Sequence, residues 1–217
     1  MTPAAPDPPP PVISTRGLDM LVAGAQSILG RPLGASELES FGKYLSLLQK
    51  WQRVQRLVGS SDPEWIVENL FLDSLLFLRV IPRDLVALAD VGSGAGFPGL
   101  PLKIVRPDLD ITLIESRQRR ASFLAATMRE LGLAGVRVVS TRVEAVPDAL
   151  LGAFGAVVMR CAGDVKMLLP SVSKLVSPGG MVVCSGPPAR TPLEGGEWVE
   201  VQGFRPGRTR LFAVFRA

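Results

Sequence analysis

A glycine-rich stretch at residues 88–99, Leu-Ala-Asp-Val-Gly-Ser-Gly-Ala-Gly-Phe-Pro-Gly, constrains the fold of this chain more than any other feature. It overlaps an apolar run at residues 86–91 that is typical of a short buried strand, and the apolar run 100–105 after it is typical of a helix. Strand, glycine turn and helix in this order bind adenosine-containing cofactors at the carboxyl end of a parallel sheet. Glycine suits the turn because it adopts positive φ and has no Cβ to obstruct a ligand.

The glycines can be aligned in two overlapping registers, which favour different cofactors. Gly94, Gly96 and Gly99 match the G-x-G-x-x-G pattern of nicotinamide enzymes, but this register begins after the end of the strand and encloses Pro98. The G-x-G-x-G register that starts at Gly92 follows the strand directly and is typical of S-adenosylmethionine (SAM) methyltransferases. The pattern therefore favours SAM over a nicotinamide cofactor, and a glycine turn without a ligand remains an alternative.

An acidic residue at the end of the next strand supports the same cofactor. The apolar run 111–114 ends at Glu115, whose two carboxylate oxygens can accept hydrogen bonds from both vicinal hydroxyls of a ribose. Asp90 lies in the first strand, just before the glycines, and we include it in the predicted site. The cofactor-binding residues predicted from this pattern are Asp90, Gly92, Gly94, Gly96 and Glu115.

The composition excludes several kinds of functional site. The 217 residues include no histidine and only two cysteines, which lie far apart, so we expect no metal site, Ser-His-Asp triad or Cys-His pair. No apolar run reaches the roughly 18 residues of a membrane span, and no signal peptide is evident, so we expect a cytoplasmic protein. The net charge of +4 permits a nucleic-acid partner but does not require one.

The sequence divides into three regions. Residues 1–13 are rich in proline and alanine and predict a disordered tail. Residues 14–84 carry apolar side chains at helical spacing and predict a helical cap. Residues 85–217 alternate between strand and helix patterns and predict a SAM-binding methyltransferase domain.

The alternating region predicts a single mixed sheet. We expect strands at 86–91, 111–115, 136–139, 155–159, 180–184, 197–203 and 210–216, with helices at 98–106, 117–132 and 164–176. The last two strands are joined by too few residues for a crossover helix, so they must form an antiparallel hairpin. The prediction is an α/β, Rossmann-like SAM-methyltransferase fold, with a seven-stranded, mostly parallel sheet and an antiparallel final strand.

Two further stretches follow predicted strands at the edge where ligands bind. Residues 140–144, Ser-Thr-Arg-Val-Glu, are expected to flank an adenine. Arg160 follows the apolar residues 156–159, in a loop that faces the transferred methyl group in folds of this kind. We therefore expect Arg160 to be more than a solvated surface charge.

Residues 90–107 are similar to the signature of the RsmG family, the ribosomal RNA small subunit methyltransferases G. Segments 72–75, 117–124 and 142–144 also resemble that family. The resemblance implies SAM-dependent methylation of N7 of a guanine in the 530 loop of 16S ribosomal RNA. It also implies the small ribosomal subunit as the partner, and we expect the enzyme to be a monomer.

The resemblance also implies roles for particular residues. It assigns SAM contacts to five positions of this chain: Gly92, Phe97, Val143, Glu144 and Arg160. It places Arg142 and Arg160 near the substrate, where we expect them to act as the catalytic residues.

The chain departs from the family pattern near the expected substrate. Residues 70–71 are Leu-Phe in a region where the family usually has a histidine, Ser185 stands in place of a lysine, and residues 209–210 are Thr-Arg in place of Arg-His. These departures leave two alternatives open. One is a SAM methyltransferase of a small molecule, and the other is a non-catalytic SAM- and RNA-binding factor in ribosome assembly.

Overall fold

The computed structural model describes residues 13–160, 165–185 and 193–217. The predicted tail up to residue 12, Cys161 and the stretch 186–188 lie outside the described residues. The N-terminal helices α1 (Thr15–Leu29) and α2 (Ala35–Gln52) agree with the predicted helical cap. Helix α1 begins where the Ser14 hydroxyl accepts a hydrogen bond from the Gly17 N–H, and it ends where Gly30 adopts φ 71°.

The third helical segment, residues 63–79, is irregular. It comprises α3 (Pro63–Ile66), a π-helix (Val67–Leu72), α4 (Asp73–Leu75) and a 3₁₀ helix (Leu76–Arg79). Its apolar spacing predicted an ordinary helix. The π-helical turn contains one extra residue, but its residue types are the same as those of an α-helix, so the sequence does not reveal it. π-helical turns occur frequently at functional sites.

The strands form one seven-stranded sheet in the order β3-β2-β1-β4-β5-β7-β6. They are β1 (Ala87–Val91), β2 (Asp110–Ile114), β3 (Val136–Val139), β4 (Phe154–Arg160), β5 (Val176–Ser185), β6 (Glu197–Gln202) and β7 (Thr209–Arg216). The helices between them are α5 (Gly99–Val105), α6 (Gln118–Leu131), α7 (Val165–Ser173) and the short 3₁₀ helices Val143–Ala145 and Asp148–Leu150. Strands β1 to β5 pair in parallel, and β7 is antiparallel to β5 and β6, which confirms the predicted fold class.

One helix–strand boundary differs from the prediction. The helix expected at 164–176 ends at Ser173, and β5 begins at Val176 instead of residue 180. Val176 continues the apolar spacing of the helix, but it pairs with Phe154 of β4 through a register shift in the ladder. Pairing with a distant strand therefore overrides the local periodicity at this boundary.

The helical cap and the sheet share a core. On β4, Ala156 and Val158 pack into the cluster that contains the cap side chains, while Val157 and Met159 face the other side of the sheet. The cap also reaches the glycine turn, because the Tyr44 hydroxyl donates a hydrogen bond to the Ala95 carbonyl. The cap is thereby held against the turn on which the predicted site is built. The division of the chain into a cap that ends at residue 84 and a methyltransferase domain that begins at residue 85 stays a prediction.

Candidate cofactor and substrate site

An open crevice of about 490 Å³ lies at the carboxyl ends of β1, β2 and β3. Its lining residues include Gly92, Arg142, Val143 and Glu144 from the predicted site, together with Arg117. Ligands bind at this end of a parallel sheet, beside the point where the strand order reverses, here between β1 and β4. The volume is within the range of about 300–1,000 Å³ that is typical of small-molecule sites.

The glycine turn adopts a backbone that requires glycine. Gly92, Gly94 and Gly96 have φ values of 71°, 59° and 95°. A Cβ on Gly96 would lie 2.5 Å from Leu100 Cδ1 and 2.7 Å from the Tyr44 hydroxyl oxygen. Gly92 therefore forms part of the crevice wall, while Gly94 and Gly96 shape the turn beside it.

Glu115 lies directly after β2 and binds the glycine turn. One carboxylate oxygen accepts a hydrogen bond from the Gly94 N–H (2.9 Å) and the other accepts one from the Arg117 N–H (2.8 Å). Each oxygen keeps a second lone pair, and the neighbours Ile114 and Ser116 line the crevice. Glu115 itself is 4% exposed and does not line the crevice, so its carboxylate is fixed just behind the crevice wall. The remaining lone pairs are the acceptors that ribose hydroxyls require, and in that respect the residues present fit SAM.

Asp90 is fully buried behind the turn and outside the crevice lining. Its Oδ2 accepts a hydrogen bond from the Gly99 N–H at 2.8 Å, while Oδ1 has no hydrogen-bond partner among the described residues. Burial raises the pKa of the Asp90 carboxyl to about 7, and the nearby Glu115 adds to the rise against the lowering effect of the Gly99 hydrogen bond. In this structure Asp90 joins the end of β1 to the start of α5.

Phe97 connects the turn to the helical cap. Its ring stacks on Tyr44 with centroids 5.4 Å apart and lies 6.1 Å from the ring of Phe71. The side chain is buried, and the Phe97–Pro98 peptide bond is cis. The described contacts of Phe97 therefore fix the cap over the turn.

Arg160 is the last residue of β4, whereas the sequence placed it in the following loop. Its Nε lies 3.2 Å from Asp73 Oδ2, and its Nη2 donates a hydrogen bond to the Asn69 carbonyl. Arg160 does not line the crevice with Arg142. The structure thus places the two predicted catalytic arginines in separate surroundings, one in the crevice and one against the cap.

Arg210 of β7 joins Arg160 on the same carboxylate, and sequence reasoning did not select it as a site residue. Its Nε lies 3.1 Å from Asp73 Oδ1, and its Nη2 donates a hydrogen bond to Ser185 Oγ at 2.6 Å. Asp73 and Arg210 are separated by 137 residues in the chain, so no local pattern connects them. Two features of the sequence could have pointed to this pair. Asp73 lies in a segment that resembles the family, and Arg210 lies where the family usually has a histidine.

Arginines without an acidic partner surround the crevice. Arg117 and Arg142 line it, are exposed and have no carboxylate within ion-pair distance among the described residues. Arg120 Nη1 lies 3.7 Å from the position that a Cβ on Gly94 would occupy, beside the turn. The described lining holds two arginines and one acidic side chain, Glu144, so it carries a net positive charge that a bound anion could neutralise.

Other kinds of site find no support in the part of the chain that the structure describes. It contains no cluster of three or more metal-ligating His, Cys, Asp or Glu side chains. Within the same ranges, no helix combines the length and apolar character needed to cross a membrane. Burial raises the pKa of the Cys184 thiol to about 12, so this cysteine is not a thiolate nucleophile at neutral pH.

The sheet order, the antiparallel β7 and the glycine-turn crevice define the fold of the chain as the Rossmann-like fold of SAM-dependent methyltransferases. A solved structure described as a SAM-dependent methyltransferase from Aquifex aeolicus has the same fold, with a TM-score of 0.51 and 16% identity over 71% of this chain and 93% of that chain. TYW2 from M. jannaschii, solved in complex with AdoMet, also has a TM-score of 0.51, with 13% identity over 66% of this chain and 73% of that chain.

Sequence similarity then gives the particular family. Residues 37–186 match the family described as rRNA small subunit methyltransferase G. The proteins of that name from Sorangium cellulosum and Halorhodospira halophila are each 40% identical to this chain, over 79% and 70% of it and over 73% and 70% of their own lengths. The chain belongs to the rRNA small subunit methyltransferase G family, as its glycine-proline signature predicted.

Proposed function

We propose that this protein transfers the methyl group of SAM to N7 of a guanine in the 530 loop of 16S ribosomal RNA. The observation that carries the proposal is the crevice beside the glycine turn, whose rim arginines have no acidic partner among the described residues, in a chain of this family. We expect the enzyme to act as a monomer on the small ribosomal subunit, in the cytoplasm.

Residues in the crevice, and Glu115 just behind its wall, have complementary roles in binding the cofactor. Gly92 lets the ligand approach the backbone, Glu115 accepts hydrogen bonds from the ribose, and Val143 and Glu144 flank the adenine. Asp90 and Phe97 act from behind, by holding the turn against α5 and the cap. When bound, SAM supplies a methyl group that its sulfonium already activates for transfer.

The reaction suits a protein without histidine. Guanine N7 carries an in-plane lone pair and no proton, so no general base is needed. The protein must align the two reactants and exclude water, and alignment alone can supply several kcal/mol of the barrier reduction. The guanine must first leave its stack, which costs a few kcal/mol, so contacts to the displaced nucleotide are needed. Arg142 and Arg160 are suited to this task, because a guanidinium can hold guanine O6 or a flanking phosphate.

Incorporation of labelled methyl groups tests the proposal directly. The protein is incubated with labelled SAM and either naked 16S ribosomal RNA or small ribosomal subunits that lack the modification. We expect label at N7 of one guanine, mapped by cleavage of the RNA at the modified base. Label in a different base would show a different target in the RNA. Label in a small molecule alone would support the small-molecule substrate described below.

Replacing Glu115 with glutamine is expected to weaken SAM binding about tenfold, because the side chain loses its charge and one acceptor oxygen and turns an NH2 donor toward the N–H of Gly94 or Arg117. Calorimetric titration with SAM measures the effect, and NAD serves as the comparison ligand. Glu130→Gln is the matched control, because that residue is exposed on α6. Equal SAM affinity of the two variants would remove Glu115 from the cofactor site.

Arg142→Ala is expected to lower methyl transfer to RNA about tenfold while leaving the Kd for SAM of similar order, because the guanidinium is assigned to the substrate. Arg129→Ala, at an exposed position near the end of α6, is the control. Initial rates at varied RNA concentration measure the effect. A loss of SAM affinity that matches the loss of rate would reassign Arg142 to the cofactor.

A small-molecule substrate is the second candidate. Ser185, where the family usually has a lysine, accepts a hydrogen bond from Arg210 and is 4% exposed. The substrate side of this site therefore differs in charge from the family pattern. Methyl transfer to an RNA-free metabolite extract, with none to ribosomal RNA, would favour this candidate. SAM binding and RNA binding without transfer would instead support the assembly-factor alternative.

A further inference from the structure

We propose that Arg160 and Arg210 together bind one phosphodiester group of the RNA substrate, with Asp73 as the residue that positions both guanidinium groups. The inference rests on the proposed function, because it assumes that the substrate is RNA. It adds Arg210 and Asp73 to the site and assigns Arg160 to the RNA backbone rather than to guanine O6. The two arginines that were predicted to be catalytic therefore have different roles: Arg142 contacts the guanine nucleotide, and Arg160 contacts the phosphate that flanks it.

One carboxylate lies within ion-pair distance of both arginines, although neither Nε forms a hydrogen bond within the part of the chain that the structure describes. Asp73 Oδ2 lies 3.2 Å from Arg160 Nε, and Asp73 Oδ1 lies 3.1 Å from Arg210 Nε. The Arg210 Nη2 also donates to Asp73 Oδ2 at 3.3 Å. Among the described residues, two guanidinium charges face one carboxylate, which gives this cluster a net positive charge. An anion is thus the ligand that would complete its charge balance.

Both guanidinium groups keep donors for a ligand. No hydrogen bond joins the Nη1 of Arg160 or of Arg210 to any described residue. The side chains are 14% and 28% exposed, so they are held by the protein but still reach solvent. Two neighbouring guanidinium groups whose Nη1 donors are unused by the described residues can present planar forks of N–H groups to the two non-bridging oxygens of a phosphodiester.

The surrounding structure fixes the pair before any ligand binds. The Asn69 carbonyl that accepts from Arg160 belongs to the π-helix, where the widened turn changes which carbonyls remain available. Ser185 at the end of β5 fixes Arg210. The Asn69 carbonyl and Asp73 of the cap, together with Ser185 of β5, thus restrain the two guanidinium groups, which lowers the entropy that binding must remove.

The pair lies close to the cofactor turn. Met159, which precedes Arg160, pairs with Val91 of β1, and Val91 is followed by the glycine turn. Arg160 itself pairs with Ser185 of the next strand. The cluster is therefore at the same carboxyl edge of the sheet as the crevice, with Arg160 one strand away from β1 and Arg210 two strands further along. A phosphate held there would belong to a nucleotide adjacent to the reacting base.

Arg210→Gln tests the assignment, with Arg216→Gln as the matched control at the other end of β7. Arg216 is exposed and pairs with Glu197. For transfer to small ribosomal subunits, we expect Arg210→Gln to raise the KM for RNA about tenfold, with little change in the Kd for SAM. The slope of log KM against log salt should fall by about 0.7, the value for one contact to a single-stranded phosphate. Arg210→Lys, which keeps the charge, should recover part of the affinity and of the slope.

A neutral linkage in the RNA identifies the phosphate without relying on a folded variant. Once the methylated guanine is mapped, a short RNA with a single methylphosphonate on either side of it is assayed with the wild-type protein and with Arg210→Gln. One of the two substitutions should raise the KM of the wild-type protein about tenfold and leave that of Arg210→Gln unchanged. Asp73→Asn should give a smaller rise in KM, because both guanidinium groups remain but are less well oriented.

The outcomes distinguish this inference from the proposed function. If the wild-type protein methylates ribosomal RNA but Arg210→Gln matches Arg216→Gln in KM and salt slope, the phosphate site is wrong and the proposed function stands. Additive effects of the methylphosphonate and Arg210→Gln also overturn the phosphate site. No methyl transfer to RNA by the wild-type protein would overturn the proposed function and the inference with it.

Discussion

Asp90→Asn is expected to change the pH dependence of stability by about 4 kcal/mol between pH 4 and pH 8. The pKa of Asp90 is about 7 in the folded protein against a reference of 3.8, and each unit of pKa difference corresponds to about 1.4 kcal/mol. Between about pH 4 and pH 7, the Asp90 carboxyl has lost its proton in the unfolded chain but retains it in the folded protein. The contribution of Asp90 is therefore fully present below pH 4 and is lost as the pH rises toward 7.

Urea unfolding at several pH values measures this change. The free energy of unfolding of Asp90→Asn, relative to that of the wild-type protein, should rise by about 1.4 kcal/mol per pH unit across this window and then level off. Asp108→Asn is the control. Arg106 hydrogen-bonds to this exposed carboxyl and lowers its pKa, so its small contribution has the opposite sign and is lost as pH falls. A difference between Asp90→Asn and wild type that does not vary with pH would show that Asp90 is ionised throughout.

Gly99→Ala is expected to destabilise the protein by about 3 kcal/mol. A Cβ at this position would lie 2.5 Å from Leu113 Cδ2 and 2.8 Å from Asp90 Oδ2. Both neighbours are fully buried, so they can move little. The methyl group would also displace the carboxylate that accepts the Gly99 N–H. Overpacking costs about 1–3 kcal/mol, and loss of the hydrogen bond from the Gly99 N–H adds about 1 kcal/mol.

Gly42→Ala provides the matched control in the same experiment. Gly42 lies inside α2, and a Cβ there would have nothing within 4 Å. The substitution should stabilise the protein by up to about 1 kcal/mol, because alanine favours a helix over glycine. Thermal or urea unfolding of the two variants should therefore give shifts of opposite sign. A tolerated Gly99→Ala would mean that the turn can move away from β2. SAM binding by that variant would then show whether the close packing matters to the crevice.

The order of residues along the chain was enough to predict the glycine turn, the mixed sheet with its hairpin and the family. These features depend on neighbours in sequence: positive φ at Gly92 and Gly96, apolar alternation in the strands, and a connection too short for a crossover. Glu115 is predicted to hydrogen-bond the ribose of SAM, and this role stays a prediction. Its bonds to two backbone N–H groups became visible only in the folded chain.

Only the tertiary structure could bring Asp73, Arg160 and Arg210 together. Their contacts span the cap and two strands, and one of them crosses 137 residues of sequence. It also showed the π-helix before Asp73 and the early start of β5 at Val176, where pairing with Phe154 overrides the helical pattern. Local propensities are weak compared with burial and strand pairing. Contacts between distant segments therefore decide the positions of charged side chains that local patterns cannot specify.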